Sequence, residues 1–271
     1  MPSKKPKTSP PPDTPTLWWH VPEDEWYSSA IAHWSEHVAS DTDDGVLGGY
    51  GDIDDVDARG SLEFVARWRS TREATTTTRR SVRTATTTAV AAPPPAPAPL
   101  AGTLALDCGA GIGRVTEGVL LRVCEHVEVV EVSAALLAAA RVRLAPHAPR
   151  VAFTAASLRD FRPSAGAYDL VWLQWVLGHL TDTDVVALLA RCRAALRAGG
   201  AIVIKDNTAA PSECDAGNGN YLLDPGNAAV IRTIAHLRAL SKRAGLRVVD
   251  AEQQFGFPKE LHDVRMYLLM P

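Results

Sequence analysis

The chain has 271 residues, 46% of them hydrophobic, and a formal charge of -3. That length and composition suit one large or two small globular domains, and the near-balanced charge argues against a protein governed by attraction to nucleic acid or to a membrane surface. Cys108, Cys124, Cys192 and Cys214 show no C-x-x-C spacing, so neither a disulfide framework nor a metal site is expected and a reducing compartment fits best.

The N-terminal stretch MPSKKPKTSPPPDTP lacks the apolar centre of a secretory signal, and no apolar run approaches the ~20 residues of a spanning helix. A cytoplasmic location is expected; Lys4, Lys5 and Lys7 leave a nuclear-targeting patch open beside the reading as a solvated tail. Residues 1–16 are proline-rich and expected to be disordered. Residues 17–70 are expected to form a helical cap: Trp18, Trp19, Trp26, Tyr27, Ala30 and Trp34 fall partly at helical spacing, GVLGGYGDIDD follows with its glycines, and SLEFVARW reads as a helix. Residues 71–101 form a Thr-rich, then Ala/Pro-rich insertion expected to be flexible.

From residue 102 to 271 strands and helices alternate. TLALDC, HVEVVEVS, VAFTAAS, YDLVWLQ and AIVIKDN read as strands, as do RVVDAEQQ and VRMYLLM at the end. Helices are expected at Ile112–Val123, at AALLAAARVRLA, at TDTDVVALLARCRAALRAGG with a Gly-Gly stop, and at AAVIRTIAHLRALSKRAG after a long polar loop. Such alternation predicts an α/β fold with a mostly parallel sheet, its ligand crevice lying beyond the carboxyl ends of the strands.

Polar groups gather at those ends. The first strand runs into Asp107-Cys108-Gly109-Ala110-Gly111-Ile112-Gly113-Arg114, where glycines let a ligand approach a helix N-terminus closely. Glu131 ends the second strand and is placed to accept hydrogen bonds from ribose hydroxyls; a surface glutamate is the plainer alternative. The G-x-G-x-G spacing is not that of a pyrophosphate turn and suits S-adenosylmethionine, whose carboxylate Arg114 can pair unless it is an ordinary helix-surface arginine. Leu158 and the Leu158-Arg159 backbone are candidates to meet the adenine, while Gln174-Trp175 and Asp206-Asn207 end the fourth and fifth strands.

The segments WYSSAIAHW, DGVLGGYGDI, ALDCGAGIGRV, VWLQWVLGHLTD, RCRAALRAGG and IVIKDN together resemble the protein N-terminal (alpha-N) methyltransferase family, which modifies the amino terminus of proteins beginning X-Pro-Lys/Arg. The resemblance covers about residues 23–69 and 102–270. It implies a class I methyltransferase: a Rossmann-like, seven-stranded, mostly parallel sheet with an N-terminal helical cap and a β-hairpin over the substrate channel, GVLGGYGDI belonging to the hairpin and cap region. S-adenosyl-L-methionine is the implied cofactor and the N-terminal segments of substrate proteins the implied partners.

The resemblance assigns Gly109, Gly111, Arg114, Glu131, Leu158, Arg159 and Gln174 to the cofactor. It assigns Trp34, Leu47, Ile53, Trp175, Asn207, Asp224 and His262 to the peptide, with Asp224 pairing the basic third residue. His179 is the implied base, with Asn207 at the amino end. The family pattern is not followed everywhere: Asn227 stands where the family has a catalytic aspartate, His262 where it has a tyrosine, and Asp215 is a displaced alternative to that acid. Competing expectations are a catalytically weakened homologue that still binds cofactor and N-terminal peptides, and a small-molecule methyltransferase on the same fold.

Overall fold

The computed structural model describes residues 22–37, 42–77, 98–214, 219–224 and 228–271. Asn227, Asp215, the proline-rich tail and most of the Thr/Ala/Pro insertion lie outside these residues. The strands are β1 (Leu100–Cys108), β2 (Cys124–Glu131), β3 (Val151–Ala155), β4 (Tyr168–Gln174), β5 (Leu196–Thr208), β6 (Tyr221–Asp224), β7 (Ala229–Arg232), β8 (Arg247–Gln254) and β9 (Asp263–Met270). The helices are α1 (Glu23–Ala32), α2 (Asp43–Val46), α3 (Asp54–Thr77), α4 (Leu121–Val123), α5 (Ala134–Arg143), α6 (Asp182–Ala195) and α7 (Ile234–Arg243).

Seven strands pair in the order β3-β2-β1-β4-β5-β9-β8, and β6-β7 form a separate hairpin. The pairs from β3 to β5 are parallel, whereas β9 runs antiparallel to both β5 and β8. β4 is buried at every position, because a central parallel strand is covered on both faces. Its side chains alternate accordingly: Val171 and Leu173 pack with Leu188 and Leu189 of α6, and Leu170 and Trp172 pack with Phe64, Val65 and Trp68 of α3. Each of those α3 side chains is almost wholly buried, which contributes about 1.5–3 kcal/mol apiece. Strand order reverses between β1 and β4, so their carboxyl ends open a crevice.

Several elements differ from the sequence-based expectation. GVLGGYGDI is not hairpin but α2 plus a single 3-10 turn at Gly51–Ile53, because Thr42 caps α2 by accepting from the Gly45 amide at 3.2 Å. The hairpin is β6-β7, in the stretch expected to be loop and the start of the last helix. That helix begins only at Ile234, where Thr233 accepts from the His236 amide at 3.2 Å. α6 stops at Ala195 rather than at Gly-Gly; the two glycines lie inside β5, where the register to β4 shifts between Tyr168–Leu196 and Leu170–Ala201. The helix after β1 carries a π-helical segment, Thr116–Leu120. α3 starts at Asp54, with Asp54, Asp55 and Asp57 favouring its N-terminal turn, and its backbone continues to Thr77 past the expected start of the insertion.

Candidate active site

The glycine turn after β1 sets the floor of the crevice. Gly109 has φ +71°, and a Cβ there would stand 2.5 Å from Val176, so no other residue keeps both the turn and the contact with the end of β4. Glu131 is buried with its carboxylate held by three amides: Gly111 at 2.9 Å, Val132 at 2.9 Å and Ser133 at 2.8 Å. A carboxylate has about four acceptor positions, so capacity remains toward the crevice. Burial raises its pKa, against the pull of those amides. Asp107, also buried, accepts from the Thr116 hydroxyl at 2.6 Å and is pushed up to about 6 by burial.

Beneath the crevice lies a charged cluster that sequence patterns did not disclose. Asp57 of α3 sits 2.7 Å from Arg114, accepts from the Gln174 amide at 2.8 Å, and pairs with the Lys205 ammonium at 2.6 Å. Lys205 is fully buried and also donates to the Asp57 carbonyl, the Ser61 hydroxyl and Gln254, each at 2.9 Å. Burial alone would raise the Asp57 pKa, but Lys205 and then Arg114 outweigh it and hold the carboxyl low. Arg114 pairs with Asp54 at 2.5 Å as well, so in the structure its guanidinium is anchored to α3 while still lining the crevice. Gln174 is likewise held on both sides, accepting from the Trp172 indole at 3.0 Å.

The end of β4 turns sharply. Trp175 has φ +51°, a costly conformation for an aromatic residue, and its amide donates to the Lys205 carbonyl at 2.9 Å. A 3-10 turn at Leu177–His179 follows. α1 docks on it, Trp26 donating from its indole to the His179 carbonyl at 2.9 Å and Tyr27 accepting from the Thr181 amide at 3.0 Å. Arg232 of β7 closes it from the other side, donating to the Leu177 and Leu180 carbonyls at 2.7 Å each and pairing with Asp182 at 2.9 Å. His179 is thereby fixed at both ring nitrogens: Nδ1 lies 3.1 Å from the Ala228 carbonyl and Nε2 accepts from the Trp34 indole at 3.0 Å. This is the neutral tautomer with the proton on Nδ1, and burial pushes its pKa down to about 4.

Two cavities meet at this turn. The larger is lined by the glycine turn, Arg114, Glu131, Leu136, Leu158 and Gln174. The smaller is lined by Asp206, Asn207, Asp224 and the hairpin residues Ala229–Ile231. Trp34, Trp175 and His179 belong to both walls. Among the residues expected to bind cofactor, Gly109, Gly111, Arg114, Glu131, Leu158 and Gln174 therefore share one cavity. Arg159 does not join them: its guanidinium reaches Glu23 at 2.6 Å and stacks over Tyr27 at 4.0 Å, and its amide donates to Ser157.

Among the residues expected to meet the peptide, Trp34, Trp175, Asn207 and Asp224 line the smaller cavity and Leu47 the larger. Ile53 and His262 are buried and line neither; Ile53 packs with Leu47 and Leu261 behind Trp175. Asp206 lines the smaller cavity beside Asn207; its place at a polar strand end was legible in the sequence, but no role was assigned to it there. Asp57 and Lys205 offered none: an aspartate in an acidic run and a lysine in an apolar strand reveal their pairing only in three dimensions.

A sheet of this order, with a glycine turn and an acid facing the reversal of strand order, defines a Rossmann-like class I methyltransferase dependent on S-adenosylmethionine. A SAM-dependent methyltransferase from Leishmania major superposes with a TM-score of 0.70 at 29% identity, over 94% of this chain and 87% of that one. The chain belongs to the AdoMet dependent proline di-methyltransferase family, whose model matches residues 22–89 and 97–270. It is 36% identical over 245 residues to the N-terminal Xaa-Pro-Lys N-methyltransferase 1 of Danio rerio, covering 90% of this chain and 95% of the relative. With the human protein of that name it shares 34% over 248 residues, covering 91% and 96%.

Proposed function

We propose that the protein transfers a methyl group from S-adenosylmethionine to the α-amino group of proteins beginning X-Pro-Lys or X-Pro-Arg. The observation that carries this reading is the junction of the two cavities at Trp34, Trp175 and His179, which wall both the space lined by the glycine turn, Arg114 and Glu131 and the smaller one lined by Asp206, Asn207 and Asp224. The larger cavity fits the cofactor, with Glu131 for the ribose, Leu158 for the base and Arg114 for the amino-acid carboxylate. When bound, the cofactor supplies an electrophilic methyl group on a sulfonium.

The chain's own residues do the rest. Two carboxyls in the smaller cavity attract a cation, which suits an N-terminal ammonium followed by a basic third residue and does not suit a small apolar substrate. Asn207 offers hydrogen bonds beside them. The indoles of Trp34 and Trp175 present flat apolar walls, which accommodate a proline ring without unsatisfied polar groups. α1 and the hairpin close over the turn and limit water. An α-amine with a pKa of about 7.7–8.0 is mostly protonated at neutral pH, so the site must also remove a proton. His179 is poorly placed for this while Trp34 occupies Nε2; the indole must release it first.

A peptide headed Ser-Pro-Lys should be methylated and its N-acetylated form should not. Equal labelling of both, measured by mass spectrometry, would exclude α-amine chemistry. We infer a location in the cytoplasm or nucleus, in keeping with four cysteines that form no disulfide with one another.

A further inference from the structure

We propose that Asp206, rather than His179, takes the proton from the substrate α-ammonium. The inference rests on the amine-methylation reading above and names the group that makes the amine nucleophilic.

Three observations support it. Asp206 stands at the carboxyl end of β5 on the wall of the smaller cavity, which also contains His179, Asn207 and Asp224. His179 is tied at both nitrogens, as a donor to Ala228 and an acceptor from Trp34, so its lone pair is already engaged. Of the Asp206 carboxylate, Oδ1 accepts from the Asn207 amide at 2.9 Å, leaving Oδ2 for a substrate N–H. Among the described residues, the charged and titratable groups around it are His179 on the turn after β4, Asp224 on β6, Arg232 on β7, and Arg265 and Tyr267 on β9, Arg265 standing directly opposite Asp206 across the β5-β9 pair. Burial raises the Asp206 pKa to about 6, against the Asn207 amide and Arg232, which lower it. His179 sits at about 4. A base near 6 is still ionised at neutral pH and is nearer in affinity to an α-amine than an ordinary carboxylate or this histidine.

The step balances within the site. One N–H bond of the ammonium breaks, its electron pair stays on nitrogen as the lone pair that methyl transfer consumes, and the proton rests on an Asp206 oxygen until it leaves to solvent with product release.

The test measures binding of a Ser-Pro-Lys peptide without cofactor, by calorimetry, at about pH 7.5 and about pH 5.5, beside the pH dependence of kcat. In the wild type, affinity should fall several-fold at the lower pH, because Asp206 must give up its own proton before it can hold an ammonium. D206N should bind about tenfold more weakly at the higher pH, lose the pH dependence of binding, and lose about 10²-fold in kcat. Retention by D206N of both the pH dependence and a kcat within threefold would overturn the proposal. So would disappearance of the acid limb of the kcat profile in H179N while D206N keeps it. If D206N does not fold, the wild-type profile decides: no ionisation between about 5.5 and 7 overturns it. A wild type that binds the peptide but leaves it unmethylated sinks the methylation reading instead, and the binding arm still reports on Asp206.

Discussion

Single side chains here hold ionisation states that cost stability. Asp206 is charged at neutral pH although its folded pKa is raised to about 6; that raised value favours the fold only below the unfolded value of about 3.9, and the advantage is lost as pH rises through 6. D206N should therefore be more stable than the wild type at about pH 7.5, by roughly 1–2 kcal/mol in urea unfolding after allowing for its partial exposure, while losing turnover. Asp57 behaves in the opposite way. Lys205 and Arg114 hold its carboxyl below the usual range, so D57N leaves two buried cations short of their partner and should destabilise by about 3–5 kcal/mol in urea unfolding. Cofactor binding should weaken as well, since Gln174 and Arg114 both lose a fixed neighbour. At this scale the sequence disclosed the residues that face outward from strand ends, such as Glu131, Gln174 and Asn207. It could not disclose Asp57, because a helical aspartate in the run DIDDVD looks like any solvated acid until α3 is packed onto the sheet.

Elements decide how the two cavities meet. The 3-10 turn at Leu177–His179 is wedged between α1 and β7, and the space for β7 exists because residue 178 is glycine: a Cβ there would stand 2.8 Å from the Val230 carbonyl. G178A should push the hairpin outward. Peptide KM should rise about tenfold or more while cofactor affinity, measured by calorimetry, stays within twofold, because the glycine turn and Glu131 are built on other strands. Long apolar runs were legible, β4 and β9 within a residue or two. The hairpin β6-β7 was not: its strands are four residues each, too short for a period to register, and AAVIR carries good helix formers. Pairing with Tyr221–Asp224 and the anchoring of Arg232 on Asp182 override that local preference.

At the scale of the whole molecule these ionisations add up to a pH profile. Asp107 and Asp206 both titrate near 6 in the folded state, so each takes up a proton in the native protein before it does so in the unfolded chain, and stability rises as pH falls through 6. His179 opposes them: its folded value of about 4 lies below the unfolded 6.5, so its contribution is present above 6.5 and lost as pH falls toward 4. Two groups outweigh one, and the Tm should rise modestly from about pH 7.5 to about pH 5.5. Below about pH 4 it should fall steeply, as Asp182, held down to about 2 by His236 and Arg232 against its burial, and Asp57 lose their charge. A Tm that declines steadily from pH 7.5, followed by calorimetry, would contradict these assignments.

What the sequence determined by itself was the strand-helix alternation, the glycine turn and the acid that answers it, because these depend on local periodicity and on backbone conformations that few residues adopt. The tertiary structure alone decided that α3 is part of the sheet's cover, that the hairpin rather than GVLGGYGDI walls the smaller cavity, and that His179 is a neutral, doubly bonded ring. It also brought Asp206 to that wall and Lys205 to Asp57. Those outcomes depend on burial and on partners more than 20 residues apart, and the ionisation of a side chain is a property of its surroundings rather than of its place in the chain.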